Sequence, residues 1–338
     1  MNVLRVTTGA TRRATRIRRI GIAALFLLTV APAIAQSGPT FPSRPVRIIV
    51  PFPAGGPTDI LSRVLAQKMS EDWGQPVLVE NRAGADTIIG AQLVAKAAPD
   101  GYTLLAAMDT TLVLNLATKA GLPYDPNTDF TYISLASKNT SLLTVRAADG
   151  PSTVAELIGR AKSSPGKLNY GAGILTTRLA GYLLAREAGI EVQLIPYKGS
   201  ADVVQALLTG SVDFIIDGVA SSLPLIQSGS FRPLAKLNSR PLPALPNVPP
   251  LSVTARLPAL DDVSSWTGIV APAGTPRPIV AKIQREIAGA FADRSIYDKL
   301  QKSGINPVAS TPEEFEAFFR KEAGRWVTIF KESGIRLD

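Results

Sequence analysis

Short β-branched apolar runs alternate with helix-length amphipathic stretches along this chain, and the alternation occurs twice. The first run, Val46-Arg47-Ile48-Ile49-Val50, reads as a buried strand. It opens into the turn-rich Pro51-Phe52-Pro53-Ala54-Gly55-Gly56-Pro57-Thr58-Asp59. From Ile60 to Trp73, Leu61, Val64, Leu65 and Met69 share one helical face, and Gly74 stops the helix. A strand over 77–79, a helix over 87–97 and a strand over 102–107 complete the first copy. The second copy has strands over 142–145, 168–170, 192–195 and 212–216, with helices over 153–161, 175–188 and 201–208. Such alternation implies an α/β chain in which each lobe is a mainly parallel sheet flanked by helices. A length of 338 residues accommodates two such lobes.

Proline recurs from Pro233 to Pro258, and that density excludes a regular helix or a central strand there. Order returns with a strand over 267–271 and a helix over 276–291. Thr311-Pro312-Glu313-Glu314 opens a last helix with proline at its first position and a capping-box acid. Phe315, Phe318, Phe319, Trp326 and Phe330 line one side of that helix, a spacing that suits core packing.

Residues 1–35 stand apart. Six arginines and no acid precede the apolar run Ile20 to Val30, and Ala33-Ile34-Ala35 offers a small-x-small cleavage site. That is the pattern of an export signal peptide. The apolar run is too short to span a bilayer as a helix, which takes roughly 20 residues. The whole chain carries +9, and subtracting the six leader charges leaves +3. No dense basic face of the kind that binds nucleic acid remains. The chain has neither cysteine nor histidine. Disulfides, thiolate nucleophiles, Cys- or His-ligated metals and Ser-His-Asp triads are therefore impossible. No Gly-x-Ser-x-Gly elbow occurs either. The composition points to a binding protein without cofactor or metal rather than an enzyme.

Ligands of α/β sheets bind beyond the carboxyl ends of the strands, where helix N-termini favour anions. In the first junction Gly55 and Gly56 allow close backbone approach and Thr58 offers a hydroxyl, while Asp59 either caps the helix or meets a ligand. The second, Gly171-Ala172-Gly173-Ile174-Leu175-Thr176-Thr177, is either an anion loop or an ordinary capped turn. In the third, Lys198 beside Gly199 can meet a carboxylate or lie in solvent. Asp109 and Thr110, after the third strand, and Asp217-Gly218 are further candidates to line the cleft.

At these junctions the chain resembles the Bug family, the substrate-binding components of tripartite tricarboxylate transporters. The resemblance runs from about Phe41 to Asp338. It is carried by Ile49-Val50-Pro51-Phe52-Pro53-Ala54-Gly55-Gly56, Val79-Glu80-Asn81-Arg82-Ala83-Gly84-Ala85, Pro99-Asp100-Gly101-Tyr102-Thr103-Leu104-Leu105, Pro196-Tyr197-Lys198-Gly199 and Ala271-Pro272-Ala273-Gly274-Thr275-Pro276. It implies a periplasmic-binding-protein fold with hinge strands joining lobe 1 (41–142 and 268–338) to lobe 2 (143–267). It also implies a monomer that closes on a small carboxylate and delivers it to membrane permease subunits. By that likeness Ala54, Gly55, Gly56, Thr58 and Asp59 form the first-lobe loop, with Gly171, Gly173, Thr176, Lys198 and Gly199 opposite. One departure stands out: Arg178 replaces the family's histidine, and it either pairs with a second ligand carboxylate or lies on the helix surface. Presentation of the ligand to a sensor, and an exported hydrolase, are the alternatives.

Overall fold

The computed structural model describes residues 41–333 except 258, 259, 261, 262 and 264. The export leader expected over 1–35 lies outside the described residues. β1 (Val46–Val50) leads into α1 (Pro57–Trp73), followed by β2 (Val77–Asn81), α2 (Ile88–Ala95) and β3 (Thr103–Met108). A π-helical turn (Thr110–Leu114) and the short α3 (Asn115–Thr118) precede the long β4 (Phe130–Asn139). Next come β5 (Ser141–Arg146), α4 (Val154–Ser163), β6 (Asn169–Ala172), α5 (Leu175–Ala188) and β7 (Gln193–Pro196). They are followed by α6 (Ser200–Thr209), β8 (Phe214–Gly218), α7 (Val219–Gln227) and β9 (Phe231–Lys236). After the four-residue α8 (Leu251–Thr254) the chain forms β10 (Trp266–Pro272), α9 (Arg277–Ala292), α10 (Arg294–Lys302), β11 (Ile305–Pro307) and α11 (Pro312–Ser333).

These strands make two sheets, ordered β11-β4-β10-β3-β1-β2 and β7-β6-β8-β5-β9. The mainly parallel sheets anticipated from the alternation are in fact mixed. β2-β1-β3 and β7-β6-β8 are parallel, whereas β10 runs against β3 and β4, and β5 against β8 and β9. Connectivity requires this. A strand that carries the chain out of a sheet and one that brings it back must run in opposite directions, so β4 pairs antiparallel with β10 and β5 with β9. Nothing in the alternation of strand and helix reports that return path.

The outward crossing is a single residue, Thr140, between β4 and β5. Its hydroxyl meets Asn238 at 3.2 Å and Asn306 at 3.4 Å, and the Asn139 amide donates to the Ser265 carbonyl at 2.8 Å. Strand pairing thus places Ser141 and Leu142 in the second sheet, and Trp266 and Thr267 in the first.

β1 is buried on both faces, which explains its unbroken apolar run. Ile48 and Val50 pack with Leu61, Leu65 and Met69 of α1, and Ile49 packs on the opposite face. Gly74 ends α1 in the left-handed conformation, its amide bonded to the Ser70 carbonyl. β9 accommodates Pro233 because it is the edge strand of its sheet, and the bridge on its outer side falls at Lys236, with Pro250, away from the proline. The proline-rich stretch does hold one helical turn, α8, in the gap between Pro250 and Pro258. Phe315 and Phe319 of α11 are buried against Tyr132 of β4, with ring centroids 5.0 and 5.1 Å away. Among the described residues no helix is long and apolar enough to cross a membrane.

The fit between α11 and the first sheet leaves no spare volume. A Cβ on Gly268 of β10 would sit 2.0 Å from the Phe315 ring. Gly268→Ala is therefore expected to destabilise the protein by about 1–3 kcal/mol through overpacking, measured by urea unfolding. Phe315→Leu in the same chain should recover part of that loss, a non-additivity that a remote effect would not give.

Candidate functional site

Every parallel strand ends at the same seam between the two sheets. The loop after β1, the turn after β3 and the junctions after β6, β7 and β8 all face it. The N-cap residues of α1, α5, α6 and α7 (Gly56, Ile174, Gly199 and Gly218) line one inner chamber. The first amides of a helix have no partner within it. Each helix end carries roughly half a positive charge, so four of them favour an anion without any basic side chain. Among the described residues the chamber is lined by no lysine or arginine; its charged side chains are Asp59 and Asp217.

Asp59 lies in the first turn of α1, yet it does not cap the helix; Gly56 occupies that position without a side-chain bond. Its oxygens accept from Nε and Nη2 of Arg63 at 2.9 Å, from Asn81 Nδ2 at 2.9 Å and from the Gly55 amide at 3.0 Å. Burial pushes its pKa up, but the bonds from Arg63, Gly55 and Asn81 outweigh burial and hold it below the usual carboxylate range. Asp59 therefore fixes the loop and spends its acceptors within the protein. Gly55 turns outward at φ +92 with its amide on Asp59, and it lines neither chamber.

Ala54, Gly56 and Thr58 do line the inner chamber, and Thr58 Oγ1 lies 3.1 Å from Thr267 Oγ1 of β10. Gly199 lines it from the facing side, where a Cβ would be 3.2 Å from Pro53. Gly171 is the clearest displacement from expectation. It lies inside β6 rather than in the following loop, and a Cβ there would meet Val212 and Ile215 of the core. Sequence reasoning passed over Phe52, Met108, Ser141, Ser200 and Ser265, which also line the chamber. Ser141 and Ser265 are brought there by the two crossings, which leave no local signal.

A second, outer chamber adjoins the first through Phe52, Pro53 and Ile174. Thr110, Gly173 and Lys198 line it, and Lys198 is exposed with no ion pair among the described residues. Arg178 also lines it and bridges the seam to Asp86 at 3.2 Å, so it faces the cleft rather than the helix surface. Asp86 meets Lys119 as well, at 3.3 Å. Ala85, Asp86 and Thr87 have φ of 47, 49 and 78, a left-handed run costing about 1–3 kcal/mol per residue. Asn115 holds the run in place, donating to the Asp86 carbonyl at 2.7 Å and to Thr87 Oγ1 at 3.3 Å.

Asp109 and Thr176 lie behind the chambers and line neither. Thr176 Oγ1 of α5 donates to Asp109 Oδ2 at the end of β3, joining the two sheets, and lies 3.3 Å from Thr110 Oγ1. Asp109 Oδ1 has no hydrogen-bond partner. Burial raises the Asp109 pKa to about 7, against the pull of the Thr176 hydroxyl. An unfolded aspartate titrates near 3.8, so the folded chain keeps this proton across the interval between the two values. The associated stability is intact below the lower value and lost as pH rises through the upper one. Asp109→Asn removes that dependence, so its melting temperature should gain on the unmodified protein between pH 4.5 and 8. Thermal unfolding at the two pH values measures the difference.

Residues 61–335 match the family described as the tripartite tricarboxylate transporter family receptor, TctC. A Pseudomonas sp. protein encoded in a tcbD-tcbE intergenic region is 37% identical over 93% of this chain and 94% of its own. Protein BugT of Bordetella pertussis is 33% identical over 95% of this chain and 98% of its own. An R. palustris protein solved with adipate superposes with a TM-score of 0.84 at 34% identity, covering 88% of this chain and 99% of that one. The chain belongs to the tripartite tricarboxylate transporter family of receptors, the family that includes the Bug proteins.

Proposed function

We propose that this chain is a periplasmic receptor that captures a small organic carboxylate between two lobes and hands it to the membrane permease of a tripartite transporter. The carrying observation is the meeting of four helix N-termini in one chamber that, among the described residues, no basic side chain lines. Such a field holds a carboxylate through backbone amides and hydroxyls. The adipate-bound relative supports the ligand class. On this reading residues 1–35 direct export and the receptor works as a monomer. Residues 41–142 with 268–338 form the first lobe, and 143–267 form the second. The lobes part about Thr140, and the Arg178–Asp86 and Thr176–Asp109 contacts form as they close. Binding without catalysis agrees with a chain that lacks histidine and cysteine.

Thermal unfolding of the purified protein across a panel of organic acids tests the reading. A ligand at 100 times its dissociation constant should add about 2.7 kcal/mol of stability. Gly56→Asp makes the test specific to the inner chamber. Gly56 has φ −83 and open space where a Cβ would sit, so the new carboxylate enters the chamber without strain. Aspartate is also a better N-cap than glycine. The empty variant should melt no lower than the parent and should lose the ligand shift; a shift that survives places the acid elsewhere.

A further inference from the structure

The inner chamber contains one group that a site built only for an anion would not need. Asp217, the penultimate residue of β8, is 2% exposed and lines the chamber. Ser200 Oγ donates to its Oδ1 at 2.8 Å, and the Gly218 amide and the Ser221 hydroxyl lie towards the carboxyl, yet Oδ2 has no hydrogen-bond partner among the described residues. Burial raises its pKa to about 6, which leaves it mostly ionised at neutral pH.

No cation faces it. β5 places Leu142 opposite, α6 contributes Ser200, α7 contributes Ser221, and Pro57 of α1 approaches the neighbouring Gly218. The other acid of the chamber, Asp59, has all its acceptors engaged, so the two carboxylates are in opposite states. A buried carboxylate with an open lone pair is costly unless a donor reaches it. A ligand carboxylate in the same chamber would also repel it unless a proton lies between them.

We propose that Asp217 is a specificity-determining residue that accepts an O–H or N–H donor carried by the ligand. The captured acid is then a hydroxy- or amino-substituted carboxylate in preference to its unsubstituted parent. The carboxylate lies on the helix amides of the first-sheet side, and the substituent points to Asp217. This rests on the carboxylate-receptor reading and narrows it.

Calorimetric titration with matched acids tests it: succinate against malate and aspartate, propionate against lactate and alanine. In the unmodified protein a substituted acid should bind at least about tenfold tighter than its parent. In Asp217→Ala the ratio should fall to within about threefold, through weaker binding of the substituted acid and, with the repelling charge removed, tighter binding of its parent. Should circular dichroism find that variant unfolded, the isosteric Asp217→Asn decides. Its neutral acceptor makes the weaker bond, so the ratio should drop severalfold. Parent and substituted acids that bind alike, or a preference unchanged in the folded variant, overturn the inference and leave the receptor reading standing. If no acid in either panel binds, the inference falls, and the receptor reading is decided by the wider panel of organic acids.

Discussion

Four helix ends carrying partial positive charge share one chamber, and the direction of the strands puts them there. β1, β6, β7 and β8 each run towards the seam, and each hands the chain directly to a helix that runs away from it. A helix that follows a parallel strand must begin at that strand's carboxyl end, so its free amides face the same way as its neighbour's. The field is thus a property of topology, and it needs no basic residue in the chamber. Backbone dipoles are fixed by packing and cost no side-chain entropy on binding.

The acids around the seam divide by how they are paid for. Asp59 is saturated by Arg63, Asn81 and the Gly55 amide, and it holds the first loop in shape. Asp86 stands on a left-handed backbone and reaches Arg178 across the seam and Lys119 on its own side. Asp109 and Asp217 are buried with one oxygen each unpartnered. The first two acids shape the cleft. The last two carry an unmet electrostatic demand at the places where the sheets and a ligand come together.

The contacts between the two sheets are consequently polar at several depths. Thr176–Asp109 lies innermost, Arg178–Asp86 lies at the outer chamber, and Pro53 and Pro57 touch the facing glycines Gly199 and Gly218. Glycine at those two positions lets prolines from the other side approach to van der Waals distance. A larger residue would hold the cleft ajar.

Much of this architecture is written locally. The run 46–50, the Gly74 stop, the helix over 175–188 and the buried aromatic face of α11 follow from periodicity and caps, because each depends on neighbours within a turn or two. The loop carrying Ala54, Gly56 and Thr58 was legible for the same reason: a glycine-rich turn between a strand and a helix announces itself. β4, α7, α10 and β11 were not read, since their burial is defined by partners far along the chain. Gly171 and Gly173 look alike in sequence, and only the register of β6 buries one in the core and leaves the other at the outer chamber. Arg178 is recognisable as a departure, but its partner Asp86 is 92 positions away and meets it only across the seam between the two sheets. What residues fix by themselves is therefore where strands turn into helices. Tertiary structure decides which of those turns face one another and which buried charge is left without a counterion, because both depend on distances through space that no local spacing encodes.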